Sequence, residues 1–309
     1  MWAPHAVELL LFAAFVLLAT WLDLFVLHRD DHEIGLGEAA WMSAAWIAVA
    51  LAFSGYVWAR YGLELWMQYL AGWALEKALS LDNLFVIAVI FGTLGVRGGL
   101  QHRALAWGVL GAVVLRGLLI VIGVELVRRF EWLLPLFGLL LLWTAARLLR
   151  GGGPGGPLER SRLYRWATRR LPVRAGFDES RVITRRPGGW ALTTLGLAIL
   201  LVEGSDLLFA VDSIPAVMGV SRDPFVILTS NIFAVLGLRA LYFLLAGSLV
   251  RFRYLDEGLG LVLAFIGVKM LAGPFGIEVP VAVSLAVVLG TVTVAVAASL
   301  APGRGRGEE

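Results

Sequence analysis

The chain of 309 residues contains no cysteine, which excludes disulfides and thiolate metal sites. Charge is scarce as well: 16% of residues are Asp, Glu, Lys or Arg, against about a quarter in soluble domains. Of the 26 basic residues only Lys77 and Lys269 are lysine. The four histidines, His5, His28, His32 and His102, fall at or outside the ends of apolar runs and read as surface residues, leaving little scope for imidazole metal ligation. No Gly-rich loop leading to Lys-Ser or Lys-Thr is found, so ATP is not expected to be the direct energy source. The first residues lack a basic stretch and a small-residue cleavage motif, so a removable signal peptide is not expected.

What the chain does contain is hydrocarbon. Hydrophobic residues make up 59% and the mean hydropathy is +0.83. Apolar runs near the ~20 residues a bilayer core requires cover 7–27, 39–59, 66–94, 104–125, 131–149, 190–218, 225–249, 257–273 and 279–300. The expectation is an all-α, polytopic membrane helix bundle of about nine transmembrane helices, folded as a single transmembrane domain. Trp41, Trp58, Trp66 and Trp190 lie near run ends, as interfacial anchors do. Gly108, Gly111, Gly117 and Gly237 are small residues that would permit close helix packing.

One connection is long. Residues 150–189 open with "RGGGPGGP" and carry ten arginines against Glu159, Asp178 and Glu179. Basic loops stay on the cytoplasmic side, so this loop and the C-terminus are expected inside and the N-terminus outside a cell (inner or plasma) membrane. The net charge of +3 and pI of 9.5 come largely from it. They speak to orientation rather than to nucleic acid, and the loop itself reads as a solvated tether.

The runs are not independent of one another. "EKALSLDNL" (76–84) aligns with "DLLFAVDSI" (206–214): an acid first, an Asp six residues on, then a small polar residue. In register, Arg116 in "VVLRGLL" matches Arg239 in "LGLRALY", and Arg147 in "GLLLLWTAARLL" matches Lys269 in "GLVLAFIGVKML". Spans 3–5 (66–149) and 6–8 (190–273) therefore read as two copies of a three-helix unit. Because three is odd, the second copy crosses the membrane in the opposite sense, the inverted repeat that transporters build around a central site. Spans 1 and 2 (7–59) precede the repeats and span 9 (279–300) follows them.

Spans 3 and 6 carry Glu76, Asp82, Glu203, Asp206 and Asp212. Insertion of all five, charged and unpaired, would cost on the order of 10 kcal/mol, so they must be paired, protonated, hydrated or metal-bound. Six residues on an ideal helix leave the two acids of each copy about 120° apart. Pro215 removes the hydrogen bond to Val211, and local unwinding there would let Asp212, Ser213 and backbone carbonyls share a cavity. Asp82 with Asn83 would supply the other half, and Glu76 and Asp206 are further candidate ligands. Such an all-oxygen set suits hard cations, Mg²⁺, Ca²⁺ or Mn²⁺. The competing reading is structural ion pairing, with Arg116, Arg239, Arg147 and Lys269 as counter-ions. Glu203 is expected just outside the ligand set. Asp23 would line an access path or face headgroups. Lys77 and Lys269 suggest places that want a compact ammonium.

These same segments carry a family resemblance. "EKALSLDNLFV", "FAVDSIPAV", "TSNIFAVLGLRALYFLL" and the turn "QHRAL" (101–105) resemble motifs of the TerC family of integral membrane proteins, named for tellurium resistance. "LDLFVLHRDDHEIGLGEAAWMSAAWIAVALAF" resembles its first two spans, and the likeness runs from about residue 7 to 272. It implies a bundle of the LysE-type transporter superfamily and a role in manganese export, with looser links to tellurite resistance and alkaline-pH response. It carries the family's intramembrane acids onto Asp82 with Asn83 and Asp212 with Ser213, and places Glu76, Lys77, Asp206, Asn231, Arg116 and Arg239 within its motifs.

The leading expectation is a secondary transporter, not an enzyme, with Mn²⁺ as substrate, no permanently bound cofactor, and proton coupling through the same carboxylates. A membrane scaffold or assembly factor, using the arginine-rich loop as its contact surface, is the alternative. A presenilin-like aspartyl protease would also have nine spans and two intramembrane aspartates. The Tyr-Asp and Gly-x-Gly-Asp settings of that class do not occur here.

Overall fold

The computed structural model describes residues 5–25, 35–151, 158, 161–173, 181–186, 189–246 and 254–300. The expected all-α membrane bundle is what forms. Its helices are α1 (Ala6–Phe25), α2 (Leu36–Leu94), α3 (Gly99–Arg129), α4 (Leu133–Leu149), α5 (Arg162–Arg170), α6 (Thr194–Val220), α7 (Pro224–Leu236), α8 (Leu238–Ala246), α9 (Leu255–Ala272) and α10 (Val281–Leu300). Six of the described helices, with α7 and α8 taken as one, are long and apolar enough to cross a membrane, and Ala6–Leu22 and Leu133–Leu149 are shorter apolar helices. Large apolar side chains such as Leu10, Trp41, Leu118, Leu208 and Val294 stand on the outer surface, as a hydrocarbon-facing exterior requires.

The 59 residues of α2 hold two expected spans. Gly62 breaks the helix with φ 86° and ψ −177°, a conformation open to glycine alone. The chain doubles back there: the Tyr69 hydroxyl donates to the Ala50 carbonyl at 3.1 Å, although 19 residues separate them. Spans 39–59 and 66–94 are thus the two arms of one hairpin.

Helix ends follow their sequences. Thr193 caps α6 by accepting from the Gly196 N–H, and Asp223 caps α7 by accepting from Phe225 and Val226, with Pro224 at the first helical position. Gly95 closes α2 in the left-handed region, φ 70°. Gly237 interrupts α7 and α8, and the Ala234 carbonyl at that break accepts from the Lys77 ammonium at 3.0 Å.

Within the bundle α4 lies against α9 at a seam of small residues. A side-chain carbon on Gly267 would come within 2.8 Å of the Gly138 carbonyl oxygen, and one on Gly260 within 2.9 Å of Leu149. α3 packs on α6, and the second arm of α2 packs on α7 and α8. α10 flanks α9, where Lys269 donates to Ser284 at 2.9 Å.

Two expectations fail here. The 150–189 connection is not a bare tether. It forms α5, whose Ala167 is fully buried, and a hairpin of β1 (Ile183–Arg186) and β2 (Gly189–Leu192) in antiparallel register Ile183↔Leu192. Leu163, Tyr164 and Ala167, at positions i, i+1 and i+4, give α5 an apolar side that docks on the bundle. Pro215 does not unwind its helix either; α6 runs through it unbroken to Val220. One missing backbone donor is tolerated once neighbouring helices support the turn.

Candidate functional site

Three helical stripes converge in the core. On α2, Gly72, Glu76, Ser80 and Asn83 recur three to four residues apart and are all buried. On α6, Asp206, Ala210, Ser213 and Val217 do the same. On α3 the stripe is Gly108, Ala112 and Arg116. Such spacing puts each set on one helix face. α3 can approach α6 because a side-chain carbon at Gly108 would sit 2.9 Å from Val202, and one at Gly111 would overlap the Glu203 carboxylate.

Arg116, 1% exposed, sits where the stripes meet. Its Nε donates to Asp206 Oδ2 at 3.0 Å and its Nη2 to Asp206 Oδ1 at 2.7 Å, a two-pronged pair. Its Nη1 pairs with Glu76 Oε1 and lies 3.4 Å from Asn231 Oδ1. Asn231 Nδ2 donates to Glu76 Oε2 at 3.0 Å, and Asn83 Nδ2 donates to Asp206 Oδ1 at 3.2 Å. Glu76, Asn83, Arg116, Asp206 and Asn231 thus form one network joining α2, α3, α6 and α7. Two carboxylates share a single guanidinium, so with both ionised the network retains excess negative charge at depth.

Further oxygens surround it. Asn83 Oδ1, Ser80 Oγ, Ser213 Oγ and Glu203 Oε2 are buried with no hydrogen-bond partner among the described residues. Glu203 stands one turn before Asp206, close enough for the two carboxylates to repel. Among the described residues no three His, Cys, Asp or Glu side chains stand together as a ready metal cluster; what gathers here is a set of oxygens, the ligand type that hard cations take.

The expected meeting of Asp82 with Asp212 is not what the structure shows. Asp82 lies beside Asp256, in the first turn of α9. Asp212 accepts from the Thr144 hydroxyl of α4 at 3.2 Å, with Arg147 3.9 Å away. The ~120° offset explains the difference: on unbroken helices the first acid of each copy faces the core and the second faces a flank. Glu76 and Asp206 meet instead. Of the other expected residues, Asn83, Asn231 and Arg116 join the network, whereas Ser213 is buried nearby. Arg239 is buried at 2% exposure. Lys77 and Lys269 hold the Ala234 carbonyl and Ser284 rather than a carboxylate. The side chain of Asp23 lies outside the described residues. His102 is buried against the Phe243 ring rather than at the surface, and His5 bonds Tyr61 at 3.1 Å. His28 and His32 lie outside the described residues.

Missed in the sequence were Asp256, Thr144 and the α5 contact. Thr144 falls on the α4 face that carries Leu141, Ala145 and Leu148 to the core, a signal that could have flagged it.

An apolar exterior and a buried ionic network at the centre define the class: a polytopic integral membrane protein that keeps charge at depth. The model of the integral membrane protein TerC family matches residues 61–305, and the chain belongs to that family. It is 43% identical over 293 residues to "Uncharacterized membrane protein STKORF319" of Myxococcus xanthus, covering 95% of this chain and 92% of the relative. It is 39% identical over 289 residues to "Putative membrane-bound redox modulator Alx" of Escherichia coli (strain K12), covering 90% and 89%. A membrane protein of Rickettsia felis is 34% identical over 268 residues, 87% and 89% covered. No solved structure matches.

Proposed function

We propose that this chain is a secondary transporter of divalent cations, with Mn²⁺ as the leading substrate, exported from the cytoplasm. The observation that carries the reading is the central network, in which carboxylates from the two related segments, Glu76 and Asp206, converge on one buried guanidinium. Ionisable side chains inside a membrane are costly, and they mark ion pathways and proton relays.

The contacts support a two-fold relation between 66–149 and 190–273. α3 on α6 has as its counterpart α7 with α8 on α2. At the α4–α9 seam, Gly138 meets Gly267; exchanging each for its aligned partner gives Gly260 and Ala145, which also meet. Asp212 facing α4 and Asp82 facing α9 obey the same exchange. An inverted pair of halves is suited to alternating access around the centre.

Chemically, two carboxylates buried at this depth are costly without positive charge beside them. Arg116 supplies it, and a divalent cation would compete for the same oxygens. As the cation engages Glu76 and Asp206, with Asn83 and Asn231 offering amide oxygens, Arg116 is released, and its return expels the cation. Asp82 with Asp256, and Asp212 with Thr144, lie six residues, about 9 Å of helix rise, beyond Glu76 and Asp206 and on other faces of α2 and α6. They are placed as staging positions on the two flanks. A redox role taken from the name of the Alx relatives would need a non-thiol centre, because no cysteine is present.

Purified protein in proteoliposomes tests the proposal, with Mn²⁺, Ca²⁺, Mg²⁺ and Zn²⁺ fluxes compared. Glu76→Gln and Asp206→Asn should each cut Mn²⁺ flux roughly tenfold or more while the protein still elutes as a folded species. Wild-type flux in both variants, or no flux of any of the four ions through the wild type, defeats it.

A further inference from the structure

The stripe of α6 that carries Gly204 changes its surroundings along its length. Toward the start of the helix, Leu197 and Leu201 on that stripe are buried. At Gly204 the covering element is α5: a side-chain carbon there would lie 2.5 Å from Leu163. Past it, Leu208 and Val211 are 64% and 53% exposed and face hydrocarbon. α5 therefore lies on the flank of the bundle, at the level where the lipid-facing surface begins. α5 runs back along the first part of α6, with Leu163 at Gly204 and Pro172 at Leu192, just before the helix begins. Exposed arginines on this flank could not face acyl chains without a cost of several kcal/mol, so its outer side belongs among headgroups.

Its inner side is fixed by Leu163, Tyr164 and Ala167. Its outer side is Arg162, Arg165, Trp166, Arg169 and Arg170, all exposed. None of the four arginines is paired with a carboxylate among the described residues. The hairpin adjoins the end of α5, since the Leu192 N–H donates to the Pro172 carbonyl at 2.8 Å. It adds Trp190, 69% exposed, with the Arg185 guanidinium 5.9 Å over its ring. Arginine and tryptophan together on an outward surface at this level match anionic headgroups above and the acyl boundary below.

We propose that α5 and the β1–β2 hairpin form a docking surface for anionic phospholipid headgroups. Arg162, Arg165, Arg169 and Arg170 take the phosphates, and Trp166 and Trp190 seat at the acyl boundary. The surface fastens the connection between the two halves to the bilayer.

Native mass spectrometry of the purified full chain, titrated with phosphatidylglycerol or with phosphatidylcholine of the same acyl chains, tests this. Phosphatidylglycerol should bind roughly tenfold tighter or more, given about fivefold per basic residue near a membrane surface. The Arg162→Gln, Arg165→Gln, Arg169→Gln, Arg170→Gln variant should lose that preference, and the matching Lys variant, which keeps the charge, should retain it. Equal binding of the two lipids, or an unchanged preference in the Gln variant, overturns the proposal. Displacement of phosphatidylglycerol by millimolar inorganic phosphate also overturns it, because the surface would then be a free-phosphate site.

Discussion

Arg116→Gln is the substitution for which the network makes its sharpest demand. The guanidinium is 1% exposed and donates to two carboxylates whose side chains are 0% and 10% exposed. Removing it strands Glu76 and Asp206 at depth with only Asn231 and Asn83 as donors. Removing one partner of a buried ion pair costs ~3–5 kcal/mol. At ~2–4 °C per kcal/mol for a chain of this general size, the midpoint of thermal unfolding in detergent should fall by roughly 6–20 °C. Arg147→Gln is the comparison: that side chain is 47% exposed, lies 3.9 Å from Asp212, and should cost less than ~1 kcal/mol. Neutralising the whole set, with Glu76→Gln, Asp206→Asn and Arg116→Gln together, should restore most of the loss, because amides can hydrogen-bond one another without buried charge. Equal midpoints for Arg116→Gln and Arg147→Gln would refute the claim that the centre is held by this pairing, as would a triple variant less stable than the single one.

Three further outcomes follow from local geometry. Gly267→Ala should destabilise by ~1–3 kcal/mol, measured by the same unfolding assay, because the new carbon meets the Gly138 carbonyl oxygen at 2.8 Å; Gly117→Ala, with open space around it, should be neutral. Gly62→Ala should cost ~1–3 kcal/mol from its φ of 86° alone, since nothing lies near enough to clash. Asp82→Asn and Asp212→Asn should each lower Mn²⁺ flux in proteoliposomes while shifting the unfolding midpoint less than Arg116→Gln does.

Much of this was legible in the chain. Apolar runs located the bundle, and Gly62 alone turned two runs into the arms of one continuous hairpin. The aligned acids pointed to α2 and α6, the helices whose acids Glu76 and Asp206 meet at Arg116. Which acids meet was not read correctly, although the means were present. The 120° offset allows one acid of each copy to face the core, and the polar and small stripe Gly72–Glu76–Ser80–Asn83 picks out the first. Attention to Pro215 drew the expectation toward Asp212, but a proline one turn on leaves a well-packed helix intact. Asp256 could not be paired with Asp82 from sequence, because the contact depends on how α9 starts beside α2. The loop hid α5 because its arginines dominate the composition, while three apolar residues suffice to dock nine.

On the transporter proposal, the glycine seam between α4 and α9 would determine where the two halves can part. With carbonyl against α-carbon at Gly138 and Gly267, a slide along that line would drive Leu142 or Met270 into backbone, so the seam acts as a spine. Rocking about it would leave the spine closed and spread the opposite flanks, α3 from α6 and the hairpin arm from α7. The Arg116 cluster spans both of those flanks. Glu76 and Arg116 belong to the same half, so any such swing would part the guanidinium from Asp206, and Glu76 from Asn231, while leaving Arg116 on Glu76.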